Sequence, residues 1–307
     1  MAHTKSMKSG FTWRRSPASN QGKTPGAAFR AKKRLGQHFI IEPEIIHKII
    51  SLAGFQSSDV VLEIGPGLGA LTLPLSRIVG RVVAVEKDAH LVTLLQKRLS
   101  RAGITNVKLI NHDILKWDIH EITLPSSTGI QVIGNLPYNI SSPVLDKLIR
   151  NRNVLTRAVL MFQAEVGKRL TASPGGKAYG AMTLLVQYHA HTRMLLEVSK
   201  DAFNPKPKVD SIVLELDFKM PYPKRGIDED KFSKMVKASF AHRRKTMLNS
   251  LRGVSPSWNR DVLLDAMKKC GIDPKRRAET LDMDEFLCLT DALVSTNSLT
   301  GHGVAGS

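Results

Sequence analysis

From Asp59 onward, short β-branched runs alternate with longer stretches whose apolar residues recur at helical spacing. Strands are predicted at Val60 to Ile64, Val82 to Glu86, Val107 to Ile110 and Ile130 to Ile133, with helices near 70–79, 88–102 and 142–150. Such alternation implies right-handed crossovers and a parallel sheet covered on both faces. Three further runs, near Ala158 to Phe162, Met194 to Val198 and Ser211 to Phe218, bring the strands to seven. The last two are separated only by a loop, so they should pair antiparallel at an edge. Ahead of this region Pro43 opens an amphipathic helix carrying Ile45, Ile46, Ile49, Ile50 and Ala53. Beyond Pro221 and Pro223 the pattern is purely helical. Helices are expected from about Asp228 to Phe240, Arg243 to Leu251, Asn259 to Cys270 and Met283 to Val294. The fold class is therefore α/β, with a seven-stranded Rossmann-like domain at 31–222 and a small all-α domain at 223–294. Polar tails at 1–30 and 295–307 have the composition of disordered chain.

Charge changes this picture more than hydropathy does. The chain has 45 Lys and Arg against 27 Asp and Glu, a formal charge of +18, which favours a polyanionic partner. Residues 1–41 hold nine of the basic residues and no acidic one, so half the net charge sits there. Cys270 and Cys288 are the only cysteines. Both lie in helical patterns and neither belongs to a CxxC pair, so no disulfide framework or zinc site is predicted. His189 and His191 have the spacing of one strand face, but no third ligand accompanies them, and no metal is expected. No apolar run approaches the roughly 18 residues of a membrane span. The default compartment is a reducing cytosol. An organellar matrix is the alternative, since the start is basic, Ser-containing and acid-free.

The candidate chemistry lies at strand ends. Glu63-Ile64-Gly65-Pro66-Gly67-Leu68-Gly69 follows the first strand and precedes a helix, as a nucleotide-binding loop does. Glu86 closes the second strand about 20 residues on, where a carboxylate accepts both hydroxyls of a ribose. That pair serves NAD or S-adenosylmethionine equally. Asp113 follows the third strand, where it can accept from the amino group of a cofactor adenine or cap a turn. Asn135-Leu136-Pro137-Tyr138 ends the fourth. Its amide and carbonyl oxygens can accept from an exocyclic amino group and its tyrosine can stack on a flat ring, a set that fits adenine. A plain strand-to-helix turn is the alternative reading of those four residues.

Taken in order, Gln37-His38-Phe39, Glu63 to Gly67, Val85-Glu86, His112-Asp113, Asn135 to Tyr138 and Phe203-Asn204-Pro205-Lys206-Pro207-Lys208-Val209-Asp210-Ser211 resemble the ribosomal RNA adenine dimethyltransferases, over about residues 31–290. The likeness is closest to the bacterial branch that acts on two adjacent adenines near the 3′ end of small-subunit ribosomal RNA. It implies a class I methyltransferase domain and S-adenosyl-L-methionine contacts at His38, Ile40, Gly65, Glu86, Asp113 and Asn135. Two of these depart from the commonest pattern, since Asn is more usual than His38 and Leu than Ile40. The catalytic set would be Asn135, Leu136, Pro137, Tyr138 and Phe203, with the target base between Tyr138 and Phe203. RNA would be held by Lys32, Lys33 and Arg34 near the site and by Arg243, Arg244, Lys245, Arg276 and Arg277 on the helical domain. The expected partner is small-subunit ribosomal RNA within an assembling subunit, and a monomer is expected. A dinucleotide oxidoreductase, a DNA or large-subunit RNA adenine methyltransferase and a non-enzymatic assembly factor are the rivals.

Overall fold

The computed structural model describes residues 36–123, 129–223 and 227–299, with side chains described to 294. All of these belong to one compact unit, Lys32–Ser307. The elements in order are β1 (Phe39–Ile40), α1 (Pro43–Ala53), β2 (Val60–Ile64), α2 (Thr72–Leu75), β3 (Arg81–Glu86), α3 (Ala89–Arg101), β4 (Val107–Asn111), β5 (Ile130–Asn135), α4 (Ser141–Arg150), β6 (Leu155–Gln163), α5 (Ala164–Leu170), α6 (Ala181–His189), β7 (His191–Val198), β8 (Phe203–Asn204), β9 (Ser211–Asp217), α7 (Glu229–Phe240), α8 (Met247–Leu251), α9 (Arg260–Lys269) and α10 (Met283–Leu299).

Seven strands form one sheet in the order β4-β3-β2-β5-β6-β9-β7, and β1 pairs separately with β8. Strands β2 to β6 run parallel, while β9 lies antiparallel between β6 and β7. Period-two alternation divides the sheet residues between two cores. Leu62, Ile64, Val83, Val85, Val132 and Leu160 face one layer, and Val61, Val82, Ala84, Ile133 and Val159 face the other. Each side chain buried this completely contributes about 1.5–3 kcal/mol.

The chain steps outward from β2 to β3 and β4, then returns to place β5 on the other side of β2. Order therefore reverses between β2 and β5, and a crevice opens beyond their carboxyl ends. Register puts Ile64 of β2 directly beside Gly134 of β5. A Cβ at Gly134 would lie 2.8 Å from the Ile64 carbonyl oxygen, so only glycine lets these two strand ends approach so closely.

Several boundaries differ from the hydropathy pattern. The helix expected at 70–79 shrinks to α2, because Asn106 Nδ2 donates to the carbonyls of Ser76 (2.8 Å) and Val79 (3.0 Å) and the turns there are irregular. The helix expected from Arg243 begins only at Met247. Thr246 caps it by accepting from the Asn249 amide (3.4 Å), so 243–245 form the turn before it. Helices α5 and α6 and the β1–β8 pair have no counterpart in the expectations. Helix α10 continues to Leu299, past the expected stop at 294. Residues 295–299 of the tail expected at 295–307 are thus helical, and its remainder, 300–307, lies with the tail expected at 1–30 outside the described residues. His189 is buried at the end of α6, whereas His191 is exposed at the start of β7, so the two do not share a strand face.

The C-terminal helices pack around Phe232, Met235, Leu263, Met267, Phe286 and Leu289, and Leu184 and Tyr188 of α6 belong to the same core. Arg152, in the turn after α4, grips the Glu229 carboxylate with one nitrogen at 2.9 and 2.8 Å. The cysteines depart from the expectation of no disulfide. Cys270 and Cys288 form a disulfide, with Cα atoms 5.8 Å apart. Packing of α9 on α10 brings the two within bonding reach, which linear spacing does not reveal.

Candidate active site

A cleft of about 500 Å³ opens at the switch point, lined by the turn before β1, the glycine loop, the ends of β3 and β4 and the Asn135 turn. Gly65 leaves β2 with φ 69° and donates to the Val85 carbonyl (3.0 Å), which ties the loop to the neighbouring strand. Gly69 has φ 86°, and a Cβ there would lie 2.4 Å from a Leu95 methyl, so the loop can press onto α3 only as glycine. Glu86 is buried at the end of β3. Its Oε2 accepts from the Gly67 amide (3.1 Å) and its Oε1 from the Asp88 amide (2.9 Å). Burial pushes its carboxyl up, against those two amide bonds, which pull it down.

Asp113 projects from the turn after β4. The Lys87 ammonium bonds its Oδ2 at 2.8 Å and holds its carboxyl below the usual range, while Oδ1 accepts from the Leu115 amide (3.0 Å). Lys87 was not anticipated, although it directly follows the strand-end glutamate. Glu63, in sequence only a member of the loop motif, is a further titratable group at the cleft. It is 1 % exposed, and Oε2 has no protein hydrogen-bond partner among the described residues. Burial raises its carboxyl to about 7; Thr72 beside it eases the charge and Glu86 opposes it. Thr72 Oγ1 likewise lacks a well-formed bond, so proximity rather than a good hydrogen bond links the two. An acidic residue inside an otherwise apolar strand was the available signal.

The acceptor end is assembled from distant segments. Asn135 Nδ2 donates to the His38 carbonyl (2.8 Å), which fixes the amide and leaves Oδ1 as its acceptor. The His38 ring stacks on Tyr138 with centroids 5.4 Å apart and planes at 25°. Its Nδ1 lies 2.6 Å from the Pro205 carbonyl oxygen. Tyr138 is half-buried and shares a hydrogen bond with Ser211 Oγ (2.9 Å), and burial raises its phenol. Leu136 is buried, and the Pro137 carbonyl accepts from the Ile140 amide (3.0 Å), which closes the turn. Ile40 lines the cleft from β1 and is itself 5 % exposed.

Phe203 does not stand where the sequence placed it. It is 3 % exposed, pairs with Ile40 across β1–β8 and packs in the core with Val198 and Val213, and it is not among the residues that line the cleft. Strand pairing with β1 turns its ring inward. Arg276 also differs from its expected role as an RNA ligand. Its guanidinium binds both oxygens of Glu285 and the carbonyl of Thr280, so its charge is used inside the protein. Arg243 donates to the Lys177 carbonyl (2.7 Å) and lies 3.6 Å from Glu279. Arg244, Lys245 and Arg277 are exposed. Lys32, Lys33 and Arg34 lie outside the described residues. Among the described residues no three His, Cys, Asp or Glu side chains gather as a metal cluster, and no helix is long and apolar enough to cross a membrane.

Known proteins resemble this chain over most of its length. The ribosomal RNA adenine dimethylase family profile matches residues 28–294. Ribosomal RNA small subunit methyltransferase A of Desulforapulum autotrophicum is 46% identical over 265 residues, covering 86% of this chain and 93% of that protein. The protein of the same name from Geobacter sulfurreducens is 44% identical over 272 residues, covering 88% and 98%. Among solved structures, a dimethyladenosine transferase from Plasmodium falciparum superposes with TM-score 0.71 at 27% identity, covering 84% of this chain and 98% of that one. The 23S rRNA methyltransferase ErmE shares the fold at TM-score 0.64 and 23% identity, covering 83% and 99%. A glycine loop, a buried strand-end carboxylate and an Asn-Leu-Pro-Tyr turn thus meet at one crevice in a chain matched from 28 to 294, and this chain belongs to the ribosomal RNA adenine dimethylase family.

Proposed function

We propose that the protein transfers methyl groups from S-adenosyl-L-methionine to the exocyclic amino groups of two adjacent adenines in a hairpin near the 3′ end of small-subunit ribosomal RNA, giving N6,N6-dimethyladenine. The observation that carries this reading is the Asn135 amide, held by the His38 carbonyl so that its oxygen is the free acceptor at the crevice. The relatives named for small-subunit methylation support the choice of RNA.

The residues present fit the cofactor. Glu86 would accept the ribose hydroxyls, the Gly65 loop lets main chain approach closely, and the charged Asp113 would accept from the cofactor adenine. When bound there, S-adenosyl-L-methionine supplies a methyl group on a sulfonium, which makes that carbon electrophilic. The protein's task is then to prepare the nucleophile. An adenine amino nitrogen is weak because its lone pair is delocalised into the ring. Asn135 Oδ1 and the Leu136 carbonyl, by accepting hydrogen bonds from its two N–H groups, favour a pyramidal nitrogen whose lone pair is free to attack. The catalytic contribution is proximity and preorganised acceptors, with Tyr138 offering a stacking surface for the base.

RNA contacts outside the site would be made by Arg244, Lys245 and Arg277 and by the basic N-terminal run. The working partner is an assembling small ribosomal subunit in the cytoplasm, met by a monomer. Reaction of the full chain with undermethylated small subunits and S-adenosyl-L-methionine tests the reading. Mass spectrometry should find dimethyladenine at two neighbouring positions of the small-subunit RNA. Methylation of duplex DNA or large-subunit RNA in preference would overturn it.

A further inference from the structure

His38 makes three contacts at once, two through its ring and one through its main chain. It stacks on Tyr138, its Nδ1 meets the Pro205 carbonyl, and its own carbonyl receives the Asn135 amide. A carbonyl oxygen only accepts, so Nδ1 carries the proton in that bond. Each of these partners is fixed from a different side. Tyr138 is pinned at its hydroxyl by Ser211, which is fully buried. Pro205 follows β8, and β8 is paired with β1, the strand that His38 leads into. Asn135 ends β5 in the main sheet. The ring therefore bridges the Asn-Leu-Pro-Tyr turn and the Pro205 loop; the resemblance places the target base between Tyr138 of the first and Phe203, two residues before Pro205. With Phe203 turned into the core, His38 rather than Phe203 links those walls.

We propose that His38 is a positioning residue for the target base, acting as a spacer that holds Tyr138 and the Pro205 loop in fixed relation while its carbonyl aims the Asn135 oxygen. This assigns its side chain to the RNA side of the crevice instead of the cofactor side, and it rests on the methyl-transfer reading above. A slot whose walls are held at a set separation should matter most at the second methylation, when the base carries an extra methyl group and one amino proton fewer. Positioning of this kind acts on turnover and product distribution, whereas a cofactor contact acts on cofactor affinity.

The test compares the full-length wild type with His38→Ala and His38→Phe, using undermethylated small ribosomal subunits as substrate. Cofactor affinity is measured separately by calorimetry with S-adenosyl-L-methionine. For His38→Ala, kcat/KM for the RNA should fall about tenfold, the scale of one aromatic pair plus one hydrogen bond. The ratio of monomethyl to dimethyl adenine should rise, with cofactor affinity within about twofold of wild type. His38→Phe keeps a ring against Tyr138 but loses the Pro205 bond, and should restore part of the rate. If His38→Ala does not fold, His38→Phe is read alone by its product ratio and cofactor affinity.

Wild-type turnover and product ratio in the variants would overturn the proposal. So would a lower KM for RNA at unchanged ratio, which would make His38 a plug that the base displaces. A loss of cofactor affinity matching the loss of rate would return the residue to the cofactor site. Absence of dimethyladenine with the wild type would instead sink the methyl-transfer reading itself.

Discussion

The two ends of the crevice are built in contrasting ways. At the cofactor end, Glu86 and the glycine loop are locked by main-chain amides within a short stretch of chain, Gly67 and Asp88 both donating to one buried carboxylate. At the acceptor end, Asn135 reaches His38 across 97 positions of sequence, and His38 reaches Pro205 across 167. The first arrangement is inherited from parallel-strand geometry, since any strand end at a switch point presents its last side chain to the crevice. The second exists only once β1 has paired with β8. Changes at the cofactor end should therefore read out as affinity, and changes at the acceptor end as rate.

The largest expected effect tests that division directly. Asn135→Ala should slow methyl transfer by about 100- to 1000-fold, the cost of removing one preorganised group aimed at a reacting atom. RNA affinity should change far less than the rate, because the phosphate contacts lie elsewhere. Monomethyladenine offers one proton to two acceptors, so the two methylation steps should be slowed unequally in single-turnover reactions resolved by mass spectrometry. Equal, wild-type rates for both steps would reduce the turn to a structural connection.

Glu63 sharpens the cofactor side. Its carboxyl rises from 4.5 to about 7 on folding. Its contribution to stability is therefore fully present below about pH 4.5 and is lost as pH climbs through about 7, where the folded protein must carry a buried charge. That loss is on the order of 3 kcal/mol at most. Glu63→Gln should remove it, so the variant's advantage in urea unfolding should grow between pH 4.5 and 8. A variant whose stability tracked wild type across that range would show that water relieves this carboxylate.

Glu86→Ala should weaken S-adenosyl-L-methionine binding by about 1.5–3 kcal/mol, measured calorimetrically, with the loop around Gly67 losing its anchor as well. Unchanged affinity in a folded variant would move the ribose contact to another residue. The smallest effect belongs to the helical part. Arg244→Ala should reduce the slope of log RNA affinity against log salt by about one, whereas Arg276→Ala should lower the thermal midpoint, because its charge is spent on Glu285. A flatter salt slope for Arg276→Ala at unchanged stability would reverse those two roles.

Much of this molecule is local, and the local part was legible. Strand-helix alternation from Asp59 and the residues at the ends of β2 to β5 follow from period-two burial and from glycine, proline and carboxylate at strand ends. The β9–β7 pairing followed from the short connection between them. Cap chemistry shortened what periodicity had lengthened, as Thr246 did for α8 and Asn106 did for α2.

What the amino-acid sequence by itself determined is the sheet, its crevice and the four strand-end positions, because each depends on neighbours within a few residues and on one dominant periodicity. Only tertiary structure decided that Phe203 turns inward, that His38 bridges Tyr138 and Pro205, that Arg276 serves Glu285 and that Cys270 meets Cys288. Those outcomes depend on which distant segments share space, and contact between remote residues leaves no period in the chain to read.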